Sequence, residues 1–427
     1  MALQVAHGYM KTGTAAPGTI ITITPGFVTK FLIFICNGRT EIVDASSLRT
    51  HKRTMGLATG VGSNYSLTSR SEQNVTPANT AQDMHELRAL QMISDTADTS
   101  DGEFELDAIG ATTVDIEIII AFDQDYTVEW YAFGGTDITN VALITTIEPA
   151  VAGVVNVDSF GFTPDVVFMM SNATGAATVG ISADSRWCFG VATLGGAAIE
   201  NAVLAGGSND GANPSQTISY CRAGECIGTL EQALTAVNSR ASVTAKRTIG
   251  LELTYAEVQG SGNRETVMVG IKGGQWALRN FTTSLDLANK VVSGLGFSQI
   301  PKGGIVFSHC KSESTVDVAD NTDEWSVGWF TSTSDRAVMA IEETDNVVST
   351  DVQSAYEKDN VYLGCNAVGG IDARVDINAI AFDSLTFSQS LMDVNGRFVN
   401  VLAFADNNPF PPVPEYRNPM LTTLRRM

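Results

Sequence analysis

The sequence predicts an all-β protein: three tandem antiparallel β-sandwich modules of jelly-roll-like kind, followed by an extended Pro-rich C-terminal arm. Three observations carry this. Gly-Phe pairs recur as Gly26-Phe27, Gly161-Phe162 and Gly296-Phe297, so the phenylalanines stand 135 residues apart each time. Each pair leads into an apolar run: F-L-I-F-I-C-N (31–37), V-V-F-M-M-S-N (166–172) and G-I-V-F-S-H-C (304–310). Each copy then closes on two alternating runs around a short polar turn, the signature of a hairpin. A repeat this long exceeds the roughly 20–50 residues of a solenoid unit, so the copies are read as domains. The expected boundaries are 1–137, 138–280 and 281–406, with the arm over 407–427.

In order along the chain, I-I-T-I-T (20–24) reads as a strand from its β-branched content, and Pro25-Gly26 as a turn. Residues 61–82 are rich in Ser, Asn and Thr and lack periodicity, which predicts a loop. T-A-Q-D (80–83) caps a short predicted helix through Ile93, with Met84, Leu87 and Leu90 on one face; a strand and loop is the alternative. V-D-I-E-I-I-I-A-F (114–122) and Y-T-V-E-W-Y-A-F-G-G (126–135) form the first closing hairpin. The second copy carries R-W-C-F-G-V-A (186–192), a predicted loop over 195–215, and a short predicted helix from Thr229 to Val237. It closes on T-I-G-L-E-L-T-Y (248–255) and T-V-M-V-G-I-K-G-G (266–274). In the third copy W-S-V-G-W-F (325–330) matches 187–192, and R-F-V-N-V-L-A-F-A-D (397–406) is the last strand. From Asn407 onward five of the chain's twelve prolines appear, which favours extended polyproline II. Phe410, Tyr416 and Leu421 are its apolar anchors, expected to dock on a neighbouring subunit.

Net charge −21 argues against a nucleic-acid partner, because phosphate contacts need a basic face. No run approaches the ~18 apolar residues of a membrane helix, and the N-terminus has no basic stretch leading into an apolar one. The six cysteines are scattered through apolar runs, which suits folding in a reducing cytoplasm.

Catalytic patterns are missing. His7, His51, His85 and His309 make no H-x-x-H or H-E-x-x-H spacing, and Cys221 and Cys226 lack a second ligand pair, so no metal or cofactor is expected. There is no G-x-S-x-G elbow and no Walker loop, and the expectation is a protein that is not an enzyme. The spaced acids of S-D-T-A-D-T-S-D-G-E (94–103) lack the Ca²⁺-loop pattern; a solvated acidic loop is expected, with a cation site as the alternative. Trp187 and Trp325 fall at matching places in two copies, which marks shared core positions rather than sugar-stacking platforms. With the three Gly-Phe pairs they make up the predicted repeat core.

The order G-F-T-P-D-V-V-F (161–168), F-G-V-A (189–192) and Y-A-F-G-G (131–135) resembles β-modules of tailed-bacteriophage virion proteins. The first copy has its proline before Gly-Phe, and the third inserts residues before Val306 and lacks the final Gly-Gly. The resemblance implies a structural component of a phage particle (capsid exterior, collar or tail), folded in the host cytoplasm and assembling with itself and other virion proteins. It transfers no catalytic residue. The alternative is an adhesin or receptor-binding protein recognising host surface glycans through the loops 61–82, 195–215 and 312–324.

Overall fold

The computed structural model describes residues 2–41, 44–172, 180–230, 237–259, 264–309, 312–314, 320–366, 370–391 and 396–407. The arm residues Phe410, Tyr416 and Leu421 lie outside them. Among the described residues there are strands and no helices.

The first strands are β1 (Leu3–Lys11), β2 (Ile20–Ile23), β3 (Thr29–Cys36), β4 (Ala45–Leu48), β5 (His51–Gly60) and β6 (Ser63–Ser71). Then come β7 (Thr80–Glu86), β8 (Leu90–Ile93), β9 (Ser100–Ile109), β10 (Val114–Ile120) and β11 (Thr127–Gly135). Next are β12 (Asn140–Ile147), β13 (Gly153–Val157), β14 (Val166–Ser171), β15 (Ser182–Ala183), β16 (Ser185–Thr193) and β17 (Glu200–Ser208). They are followed by β18 (Thr217–Ala223), β19 (Ile227–Leu230), β20 (Val237–Arg247), β21 (Gly250–Glu257) and β22 (Glu265–Lys272). The last stretch holds β23 (Gln275–Thr282), β24 (Lys290–Ser293), β25 (Gly303–Ser308), β26 (Asp320–Asn321), β27 (Asp323–Phe330) and β28 (Arg336–Glu343). It ends with β29 (Val352–Glu357), β30 (Tyr362–Cys365), β31 (Ile371–Ala381), β32 (Ser384–Leu391) and β33 (Phe398–Ala405).

These strands make six antiparallel sheets, three of seven strands and three of four. Six strands of the first large sheet run β1-β11-β3-β5-β6-β7, and its smaller partner runs β2-β10-β9-β8. Adding eleven to each number reproduces the second pair of sheets, and adding eleven again reproduces the third. The seventh strand of each large sheet comes from elsewhere. β15 pairs with β7, β26 with β18, and β4 with β29, so each sheet pair lends one short strand to another in a closed cycle. Strand β4 thus lies within the stretch expected to be self-contained, yet completes the third large sheet.

Side-chain alternation explains the layering. Along β3, Phe31, Ile33 and Ile35 enter a core shared by all three large sheets, whereas Leu32, Phe34 and Cys36 face β8–β10. In β14, Val166, Phe168 and Met170 face the shared core while Val167 and Met169 face β19–β21. Both faces of a large sheet are therefore buried, which is why its strands read as unbroken apolar runs. The four-stranded sheets bury one face only, and β10, β21 and β32 alternate accordingly.

One glycine per large sheet sets how closely the two layers approach. A Cβ on Gly56, Gly190 or Gly328 would collide with the carbonyl oxygen of Ala89, Cys226 or Val361, each in the chain just before a four-stranded sheet's edge strand. Gly190 and Gly328 are the glycines of the matched runs 187–192 and 325–330, Gly56 is their counterpart in the first large sheet, and the backbone contact explains all three.

Several expectations are corrected. The helix predicted over 80–93 is two strands, β7 and β8, because Met84 and Leu90 pack into different cores while Leu87 is exposed in the turn between them, so tertiary pairing overrides the periodicity. Thr229 and Leu230 belong to strand β19 rather than a helix; residues 231–236 lie outside the described residues. The loop predicted over 61–82 contains β6, whose polar side chains find buried partners, such as Thr54 for Thr68 at 2.8 Å. The loop predicted over 195–215 contains β17, in which Gly206 makes room for the Trp187 ring. In 312–324, residues 315–319 lie outside the described set, while Asp320–Asn321 is strand β26 and β27 opens at Asp323.

Candidate functional site

Where the three large sheets meet, their shared apolar core borders a cluster of charged and polar groups drawn from all three. Arg53 on β5 lies 4.3 Å from the ring of Trp187 on β16 and 3.0 Å from Asp323 on β27. Asp323 also accepts from the Trp187 indole N–H at 3.2 Å. Beside it, Glu343 on β28 accepts from Ser71 of β6 at 2.6 Å and from Ser208 of β17 at 2.7 Å. Two carboxylates of the third sheet pair are thereby held by side chains of the first and second. Burial, then the nearby Asp323 charge, pushes the Glu343 carboxyl up to about 7. Burial likewise raises Asp323, against the pull of Arg53.

A second ionic contact joins β1 to the third sheet pair. His7 lies 2.9 Å from Asp335 and 3.6 Å from Glu129. Burial disfavours its charge, but the bonds to Asp335 and Glu129 outweigh this and raise it to about 9. Tyr356 of β29 donates to Glu129 at 2.6 Å. Apart from the half-exposed Asp335 these groups are largely buried, and they bond from one sheet pair to another, although Arg53 Nε and Nη2, Asp323 Oδ1 and Glu343 Oε2 have no hydrogen-bond partner among the described residues.

The residues expected to form the repeat core occupy unequal places. Gly26, Gly161 and Gly296 have φ of +87°, +75° and +74°, with open space where a Cβ would be, so the turn itself demands glycine. Phe27 and Phe297 are buried between their sheets. Phe162 is only half-buried; Phe160, whose ring centroid is 6.1 Å away, is the buried ring of that turn. S-F-G-F offers two aromatics around one glycine, and the spacing selected the outer one. Trp187 and Trp325 are both in the shared core. Trp130, Trp276 and Trp329 are buried as well.

The acids of 94–103 are paired. Lys52 bridges Asp95, at 3.1 Å, and Asp101, while Arg70 takes Asp98 at 3.1 Å and Arg88 takes Glu103 at 2.7 Å. Their partners come from β5, β6 and the turn after β7, which the local sequence could not reveal. Among the described residues, no group of three or more His, Cys, Asp or Glu is arranged to hold a metal ion.

Two surface features remain. The outer edges of the four-stranded sheets, β2, β13 and β24, expose Ile20, Val154 and Val291, the first two at equivalent register positions. A cleft of about 560 Å³ opens between the second and third sheet pairs, lined by Asp165, Gly195–Ala198, Glu200, Trp276, Arg279, Phe297 and Asn407. Glu200 and Arg279 form an ion pair within it.

No family model matches the sequence, and no curated protein matches it. Among solved structures, that titled "The Structure of Intact Ap-TbpB (N and C lobes)" aligns over 94% of this chain and 84% of its own, at 8% identity and a TM-score of 0.12. A score that low carries no fold correspondence.

Proposed function

We propose that the chain is three tandem β-sandwich modules of jelly-roll-like kind closed into a single-chain pseudo-trimer, and that it serves as a structural component of a tailed-bacteriophage particle. The observation that carries this reading is the cyclic loan of β4, β15 and β26, which ties each sheet pair into the next. Such a loan covers one edge of every large sheet and yields a rigid block. The three exposed edges β2, β13 and β24 are then the natural places for copies or other virion proteins to join, by strand addition or apolar contact.

The reading includes folding in a host cytoplasm and no catalytic role. Cys36, Cys188 and Cys226 are buried free thiols whose pKa values burial raises, in keeping with a small-hydrophobe role. The glycan-binding alternative gains less support. All five tryptophans are buried, and much of the chain expected to form recognition loops is sheet.

Electron microscopy of particles, with this chain located by a labelled antibody fragment, tests the proposal. A regular multi-copy position on the virion is expected. A protein monomeric at high concentration and absent from purified particles would sink it.

A further inference from the structure

Register identifies one position shared by the three large sheets. Phe31 faces Phe133, Val166 faces Ile271 and Gly303 faces Phe404, so the preceding residues Lys30, Asp165 and Lys302 are equivalent. At two junctions the lysine fills the gap between sheet pairs. Lys30 donates to the carbonyls of Gly135, at 3.0 Å, and Ile138. Lys302 donates to the carbonyl of Leu3 at 2.8 Å and pairs with Asp406 at 3.0 Å. At the remaining junction the residue is Asp165, which is shorter and opposite in charge. Its carboxylate accepts from the Gly273 N–H at 2.7 Å, and the cleft opens beside it.

We propose that this cleft is the seat of the chain's own C-terminal segment, with Pro409–Pro414 lying in it. Asn407 lines the cleft, and its N–H donates to Asp137 at 2.8 Å, so residues 408–427 begin at the cleft itself. N-P-F-P-P-V-P-E (408–415) has few N–H groups to satisfy and is biased to polyproline II, which docks in aromatic-bounded grooves. The cleft walls rest on the edges of Trp276 and Phe297, only 4% and 5% exposed, and its rim is the exposed Ala197 and Ala198. Its size suits one short peptide stretch. Charge agrees: in a chain of net −21, the segment carries Arg417, Arg425 and Arg426 against Glu415 alone, and the cleft holds Asp165 where its equivalents are cationic. The inference concerns the isolated chain and does not depend on a place in a virion.

A photoreactive benzoylphenylalanine in place of Phe410, in the full-length protein, tests it. Irradiation should join residue 410 to peptides spanning 195–200, 274–279 or 294–298 of the same chain. Asp165→Lys, which restores the residue found at the two filled junctions, should abolish that adduct while leaving the thermal transition in place. Should Asp165→Lys misfold, Ala198→Trp blocks the rim from an exposed position and should abolish it too. Adducts between chains would assign the cleft to a second copy and overturn the proposal. Adducts elsewhere on the body, no adduct, or a yield unchanged in a folded blocking variant would overturn it as well.

Discussion

The large sheets and the small sheets are built from similar residues and differ in what lies on their far side. The far face of a large sheet is the core common to all three sheet pairs; the far face of a small sheet is solvent. In β3 and β14 nearly every side chain is therefore buried, whereas β10 and β32 bury alternate ones. The difference teaches where cohesion resides. Apolar burial at roughly 25 cal/mol per Å² acts twice on a large sheet, once toward its partner and once toward the other two. The large sheets should thus unite the chain, while each small sheet stabilises only its own pair.

The largest effect should come from breaking the shared core. Trp325→Ala removes a buried ring and should cost about 3–5 kcal/mol. Its signature is breadth: hydrogen exchange should accelerate in all three large sheets. Leu106→Ala, on β9 between the first large and small sheets, should cost about 2–5 kcal/mol, with faster exchange confined to the first pair. Equal breadth for both variants would remove the distinction.

The Gly-Phe turns sharpen it within one layer. Phe297→Ala should cost about 3–5 kcal/mol, because that ring is buried. Phe162→Ala should cost less than half as much, since Phe160 fills the core there. Chemical denaturation of the two variants measures the difference, and equal losses would return Phe162 to the core.

Acid–base behaviour separates the two ionic junctions. Glu343 has its folded pKa raised to about 7, so the folded state binds the extra proton. Its contribution is fully present below the unfolded value of about 4.5 and is lost as pH rises through 7. The span is on the order of 3 kcal/mol. Glu343→Gln should flatten stability between pH 5 and 7. His7 is also raised, to about 9, so its contribution is present below about 6.5 and lost toward pH 9. His7→Gln should flatten only that upper window. Denaturation midpoints across pH 5–10 would show both windows, and a single window removed by both variants would mean the junctions titrate as one.

Much of this layering was legible in the chain. Runs such as F-L-I-F-I-C read as buried strands and are so, whereas the runs 114–122 and 126–135, read as one hairpin, are β10 and β11 in two different sheets, joined by the turn between them without pairing. What could not be read were pairings whose cause lies in another sheet pair. Ala45–Leu48 and Ser182–Ala183 are short and polar, and they become strands only because a sheet edge elsewhere receives them. Polar β6 read as a loop because its partners, such as Glu343 for Ser71, are distant in sequence. The Arg53–Asp323–Trp187 cluster was invisible for the same reason: no local spacing encodes a contact among three sheets.

The smallest expected change in stability falls on the solvent side, where it separates folding from assembly. Ile20, Val154 and Val291 are exposed on the free edges of the small sheets, so removing them should change stability by only about 0.5 kcal/mol each. If those edges join copies, charge there should be far more costly to association than to folding, because lysine on an edge strand opposes strand addition. The triple variant Ile20→Lys, Val154→Lys, Val291→Lys should therefore keep the thermal transition and the inner-sheet exchange protection. It should also shift light-scattering mass toward the monomer and lower incorporation into particles. Incorporation equal to that of the parent chain would place assembly on other surfaces, while a collapsed thermal transition would show that the outer sheets contribute more to cohesion than their single buried face implies.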